Sequence, residues 1–311
     1  MCSRNPFLLA AILAMSLAAP SAAQGPVGTR ASGMSGAFVA VADDATAVYW
    51  NPAGLATGSF VSAVIDLGQA VIGPVSSQTI VNQEDTTVFV GVSATAIGVA
   101  YYRVATYGRP DEPEVNGDRS REEVGRGVHA LTTSVLGSSL VQSLSEHIVV
   151  GATPKIVRTE TGKDFDVDAG VMVSWSHFHA GVVGRNLTTP TFDTEDGLAA
   201  VELGREVRVG GAWGSGWSGL SRVIIAVDGD VMSRPTPAGD RRDLAGGVET
   251  WWFNRRLGVR GGISRSTIGE AREALSGGLS LGVTAGMLIE GHVARGDAEE
   301  RSWSVGLRMV V

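Results

Sequence analysis

From about residue 59 to the C-terminus, apolar and polar side chains alternate with a period of two, and no apolar run there is long enough to cross a bilayer as a helix. A spanning helix takes about 20 consecutive apolar residues, whereas a strand turns successive side chains to opposite faces. The alternation therefore predicts sheets with one apolar and one polar face. In 166–175, Val167, Ala169, Val171, Val173 and Trp175 share one face, and Asp166, Asp168, Gly170, Met172 and Ser174 share the other. In 206–213, Val207, Val209, Gly211 and Trp213 alternate with Glu206, Arg208, Gly210 and Ala212. Further on, Val223, Ile225, Val227 and Val231 oppose Ala226, Asp228 and Asp230. Leu257, Val259 and Ile263 likewise oppose Arg256, Arg260 and Ser264. The last run sets Trp303, Val305, Leu307, Met309 and Val311 against Ser302, Ser304, Gly306 and Arg308.

A soluble β-sandwich writes the same pattern. Three further features select a membrane barrel. About fourteen strands are expected, near 59–68, 86–94, 96–106, 128–141, 146–158, 165–175, 177–186, 204–213, 220–231, 243–252, 256–264, 274–283, 286–294 and 301–311. Their connections alternate strictly between tight turns and longer polar loops, as in barrels with short periplasmic turns and long outer loops. Trp175, Phe178, Trp213, Trp217, Trp252 and Phe253 fall at the tight-turn ends, which predicts an interfacial aromatic girdle. The chain closes inside an amphipathic strand, although on Val311 rather than on the aromatic residue usual for such barrels. Pro154 interrupts a strand with no free edge to accommodate it, and a β-bulge is expected there.

The N-terminus predicts export. Arg4 precedes an apolar stretch from Phe7 to Ala19, and Pro20-Ser21-Ala22-Ala23 supplies a small-residue cleavage site. Residues 1–23 are therefore expected to be a cleaved signal peptide, which removes Cys2, the only cysteine. With a barrel behind it, this places the mature chain in a bacterial outer membrane, contacting its lipid and inserted by the barrel-assembly machinery. Residues 24–57 do not alternate. Phe38, Val39, Val41, Tyr49, Trp50 and Leu55 make them too apolar for a solvated linker. Gly28, Gly33 and Gly36 suit irregular backbone, Asp43 or Asp44 can cap a short helix through Trp50, and Asn51-Pro52 ends it. The expected division is a signal peptide over 1–23, a packed segment over 24–57 and a barrel over 58–311.

Gly-Thr-Arg at 28–30 and the stretch GMSGAFVAVADDATAVYWNPAGLA resemble the N-terminal signature of the FadL-like outer-membrane proteins. VGATPKIV, DVDAGVMVSW, AGVVGRNLTTPTF and IIAVDGDV are similar to hairpins of the PorV-like, TraF-like branch. The resemblance implies an all-β, fourteen-stranded antiparallel barrel with the N-terminal segment folded into the lumen as a plug. Gly33, Gly36, Asp43, Asp44, Tyr49, Trp50, Asn51, Pro52 and Ala53 would form the plug motif. It further implies transport or secretion across the outer membrane, with hydrophobic small molecules as cargo in the channel branch. In the PorV-like branch the partners would be exported proteins held on a non-conducting platform. A structural role without cargo stays open.

Glu206, Arg208, Asp228, Asp230, Glu249, Arg256, Arg260, Glu290, His292 and Arg308 fall on the polar, lumen-facing side. Charges enclosed in a barrel must pair or face water. An ion-pair lattice from wall to plug, with Arg30, Asp43 and Asp44 as partners, is expected over a selectivity surface for a polar solute. Asp164, Asp166 and Asp168 have calcium-loop spacing, but the spacing continues into a strand and marks one face. His177 and His179 are read as interfacial polar residues rather than metal ligands, and Asn186-Leu187-Thr188 carries no meaning as a glycosylation triplet in a bacterial barrel. No Ser/His/Asp arrangement suggests catalysis, no cofactor is expected, and the net charge of −7 argues against nucleic acid.

Overall fold

A computed structural model describes residues 27–72, 81–110, 128–193, 200–216, 221–234, 240–269, 272–297 and 300–311. The proposed signal peptide and Trp217 lie outside them. The strands are β1 (Val61–Ile72), β2 (Val81–Ala94), β3 (Ile97–Pro110), β4 (Val128–Ser143), β5 (Ile148–Arg158), β6 (Lys163–Trp175), β7 (Phe178–Arg185), β8 (Thr191–Asp193) and β9 (Ala200–Glu202). Then follow β10 (Glu206–Gly214), β11 (Ser221–Asp230), β12 (Asp243–Trp252), β13 (Leu257–Ser266), β14 (Glu273–Thr284), β15 (Met287–Gly296) and β16 (Arg301–Val310). All but β8 and β9 form one closed antiparallel barrel of fourteen strands, each next to its chain neighbour. β1 pairs with β16 from Ser62↔Val310 to Val71↔Arg301, and mutual bonds between Val61 and Val311 (3.2 and 2.9 Å) complete the closure. β8 and β9 form a separate two-stranded sheet in the connection from β7 to β10.

The two faces separate as the alternation requires. Leu67, Val92, Leu140, Ile225, Leu279 and Val305 are among the exposed outward residues, while Asp66, Asp168, Arg208, Glu249 and Arg308 point inward and are buried. An apolar exterior on a closed sheet leaves no unpaired strand edge in lipid, which is the condition for spanning a bilayer with strands. Trp175, Phe178 and Phe253 are exposed at the tight-turn end, and Phe165 and Trp303 are exposed near the opposite rim. The expected girdle on one side is thus accompanied by aromatic residues toward the other.

Three sequence expectations need correction. Strands on the long-loop side run further than the alternation suggested, β1 to Ile72 and β3 to Pro110. There the apolar–polar alternation of the sequence fades while backbone pairing continues. The loop alternation is also not strict, since 159–162 on the long-loop side is as tight as a turn. Pro154 produces no bulge. The β4–β5 register is the same at Gly137↔Lys155 and Leu140↔Ala152, with pairing absent between them, and β5–β6 continues through Pro154↔Val167. A missing N–H locally opens one ladder without shifting it.

Candidate functional site

The described N-terminal residues begin with a helical turn at Thr29–Ser32, followed by a second at Ala47–Trp50 and a 3-10 helix at Pro52–Thr57. Asn51 separates the last two. Its side-chain oxygen accepts the Ala53 N–H at 3.2 Å, and Pro52 occupies the first helical position, where its missing N–H costs nothing. The helix at 47–50 has no side-chain cap. Asp44 Oδ1 instead accepts from the Thr46 N–H and hydroxyl, at 2.9 and 2.5 Å. Gly28 and Gly36 have positive φ (96° and 79°), but Gly33 is in the ordinary right-handed region and is small because it abuts Gly278 of the wall.

Nearly all of this segment is buried, with Met34, Phe38, Val39, Val48 and Leu55 in its apolar core. Tyr49 and Tyr102 meet edge to face at 5.4 Å, and the Trp50 indole N–H donates to Val27 O at 2.7 Å. Inward glycines let the segment's backbone touch the sheet. A Cβ on Gly262 would collide with the backbone of Met34 and Ser35, and one on Gly151 with Pro52 and Ala53.

Polar contacts tie the segment to strands around the ring. Arg30 donates to both carboxylate oxygens of Glu249, at 2.8 and 2.7 Å, and also pairs with Asp43 and Asp44. Arg260 joins Glu249 and Glu290 at 3.0 Å each, and Arg308 joins Glu290 at 2.9 Å and Asp44 at 3.3 Å. Trp251 lies beneath these cations, 5.6 Å from the Arg260 guanidinium and 5.4 Å from that of Arg308. Burial opposes the charge of Arg30, but Asp43, Glu249 and Asp44 outweigh it and hold the guanidinium above its ordinary value.

Elsewhere on the ring, Asp228 Oδ2 accepts the backbone N–H groups of Phe38 and Val39 at 2.7 and 2.8 Å. Arg208 donates to Gly36 O at 3.2 Å and pairs with Asp230 at 2.6 Å. Asp66 accepts from Thr29, Ser276 donates to Gly33 O, and Asn51 Nδ2 donates to Val39 O and to Val171 O of β6.

Of the lumen charges expected from sequence, Glu249, Arg260, Glu290 and Arg308 share one network, Arg208, Asp228 and Asp230 form a second, and Glu206 pairs with Arg185 at 2.5 Å. His292 is buried between Ser304 and Ser302. Arg256 does not belong with them, because it lies in the turn before β13 and its side chain is exposed. Lys155, Arg185 and Asp66 were missed. Lys155 Nζ is 3.1 Å from Asp166 and 2.7 Å from Asp168, which occupies the two buried carboxylates of the calcium-like spacing. Asp164 is exposed, and no metal-holding group of His, Cys, Asp or Glu occurs among the described residues. Arg185 stacks 4.4 Å from the centre of Tyr49. The period-two phase of β5 and β7 already put Lys155 and Arg185 on the inward face.

Residues 159–230 match the family model described as F plasmid transfer operon, TraF, protein. No curated protein matches the chain. Among solved structures, the CymD monoaromatic hydrocarbon channel superposes with a TM-score of 0.61 at 12% identity, covering 94% of this chain and 99% of that one. A TodX monoaromatic hydrocarbon channel mutant gives 0.53 at 10% identity, covering 85% and 94%. The Acinetobacter baumannii outer membrane protein Omp33 gives 0.42 at 9%, covering 81% and 100%. What this chain shares with the two hydrocarbon channels, at identities of 12% and 10%, is the fold, a closed antiparallel barrel.

Proposed function

We propose that the chain is an outer-membrane transport barrel, non-catalytic and without a cofactor, whose residues 27–58 form a plug in the lumen, and that its cargo is small hydrophobic molecules. The observation that carries this reading is the N-terminal segment itself, buried and held through Arg30, Phe38, Asp44 and Asn51 by strands on different sides of the ring. A segment so held blocks an aqueous path, so passage requires either its movement or a route through the wall. Among the described residues, the β4–β5 ladder of the wall lapses opposite Pro154. An apolar outer hollow of about 720 Å³, lined by Leu140, Ala152, Val171 and Val182, lies there, and the Pro52–Ala53 turn packs behind it on Gly151. The barrel fold shared with proteins named as hydrocarbon channels agrees with this reading.

The test compares a deletion strain with its complemented parent for uptake of a monoaromatic hydrocarbon and of a long-chain fatty acid, alongside mass spectrometry of the purified barrel. Slower uptake of either compound on deletion, or an apolar ligand retained by the barrel, supports the reading. Unchanged uptake together with an empty barrel ends it. A second reading, a platform for exported proteins, is favoured by the dense ion pairing within the lumen, which offers no continuous apolar path. Crosslinking in intact cells followed by pull-down separates the two, because a platform retains a protein partner under conditions where a channel retains none.

A further inference from the structure

We infer that the outward face of β14–β16 holds a phosphate-bearing lipid of the outer leaflet, with Arg295 and Arg301 on the phosphate and the hollow at Gly277 and Gly291 under an acyl chain. The inference rests on the outer-membrane reading only for the direction of the barrel, with the long-loop rim outermost. Arg295 and Arg301 stand directly opposite each other in the β15–β16 register, and both are exposed. Like charges in that position repel. Neither has an ion-pair partner among the described residues, while the nearby Glu273 is bound by Arg265 at 3.2 Å. An anion bridging the two guanidinium groups would replace repulsion with charge-assisted hydrogen bonds, and the planar forks of arginine suit phosphate oxygens.

The next outward pair along the same strands is Val293↔Trp303, followed by Gly291↔Val305, each step being about 7 Å. Across β14–β15, Gly277 faces Val293 and Leu279 faces Gly291. The two glycines leave a hollow of about 620 Å³ on the apolar side, bounded by Leu279, Ile289, Trp303 and Val305. A Cβ placed on Gly277 or Gly291 would meet nothing closer than 3.9 Å, so neither glycine is demanded by packing inside the protein. A cation pair at the rim directly above an apolar depression, with a tryptophan between them, has the layout of a lipid: phosphate, interface, hydrocarbon. A free phosphate would use only the upper half of this surface.

The full chain, folded in phosphatidylcholine nanodiscs, is tested by native mass spectrometry for retention of phosphorylated lipid A against its dephosphorylated form. The wild type should prefer the phosphorylated lipid by about tenfold, the scale of a charge-assisted contact. The R295Q/R301Q double variant should lose that preference, and R265Q should keep it. Gly277→Leu with Gly291→Leu should lower retention of both lipids several-fold, and inorganic phosphate should displace neither. Heat-dependent gel mobility checks that each variant is folded. Equal retention of the two lipids by the wild type, an undiminished preference in R295Q/R301Q, or displacement by inorganic phosphate overturns the inference. Because the lipid is supplied in the nanodisc, these outcomes are independent of whether the barrel transports anything.

Discussion

Arg30 and Glu249 lie 219 positions apart in the chain and meet through two parallel hydrogen bonds, Nε to Oε2 at 2.8 Å and Nη2 to Oε1 at 2.7 Å, with both side chains almost wholly buried. This fork-to-fork geometry carries direction as well as charge. It anchors the first helical turn to β12. Arg260 binds Glu249 from the neighbouring strand, while Asp43 and Asp44 approach Arg30 from within the segment. Burying such charges is unfavourable unless each is paired, and here the pairing is shared among three cations and four carboxylates.

Removing one member should therefore do more harm than removing both. Glu249→Ala removes the carboxylate that Arg30 and Arg260 share, leaving Arg30 to Asp43 and Asp44 and Arg260 to Glu290, and should cost about 3–5 kcal/mol, whereas the double variant R30M/E249L should cost distinctly less. The temperature at which the folded band disappears in heat-dependent gel mobility reads both.

Asp228 holds backbone rather than charge. Asp228→Ala deprives the Phe38 and Val39 N–H groups of their acceptor and should destabilise the segment by about 1–3 kcal/mol, while Asp228→Asn should retain part of the contact. Hydrogen exchange at 37–40 should accelerate in the alanine variant with little change in the outer strands.

Two adjacent glycines of β13 should respond oppositely to the same substitution. Gly262→Val pushes into the backbone of Met34 and Ser35, so the segment should become protease-sensitive. Gly261→Val projects into open space on the outer face, where the nearest atom is Ser276 O at 3.8 Å, and the segment should stay protected.

Restoring an N–H at position 154 should close the lapse in the β4–β5 ladder. Pro154→Val is expected to stabilise the barrel by about 0.5–1.5 kcal/mol, the net contribution of one hydrogen bond. If cargo leaves through that part of the wall, the same variant should slow hydrocarbon uptake in cells. A faster uptake rate would contradict that route.

The strand order was legible because lipid and lumen impose opposite demands on successive residues, as in Val171 against Met172 or Val227 against Asp228. Strand ends were not, because the alternation of apolar and polar residues fades at 69–72 and 107–110 while the backbone goes on pairing. Sequence placed Glu249, Arg260, Glu290 and Arg308 on one face, but not in one network, since their meeting depends on register across β12–β16 and on Arg30 arriving from the N-terminal segment. Arg256 has the right phase and sits one residue outside its strand, so phase alone misplaced it. The role of Pro154 was hidden for a similar reason. A missing donor can bend a strand or simply go unpaired, and only the register through Lys155 and Ala152 decides which.

Ser35 Oγ lies 2.8 Å from Ser276 Oγ on β14, close enough for a disulfide if both were cysteine. In a chain carrying Cys2→Ser, Ser35→Cys and Ser276→Cys, mild oxidation of isolated outer membranes should join the two positions. Heated, non-reduced samples should then show a compact, faster-migrating band that disappears on reduction. If both cysteines remain free under oxidation while the barrel is folded, the segment does not lie against β14 and the plugged lumen is wrong.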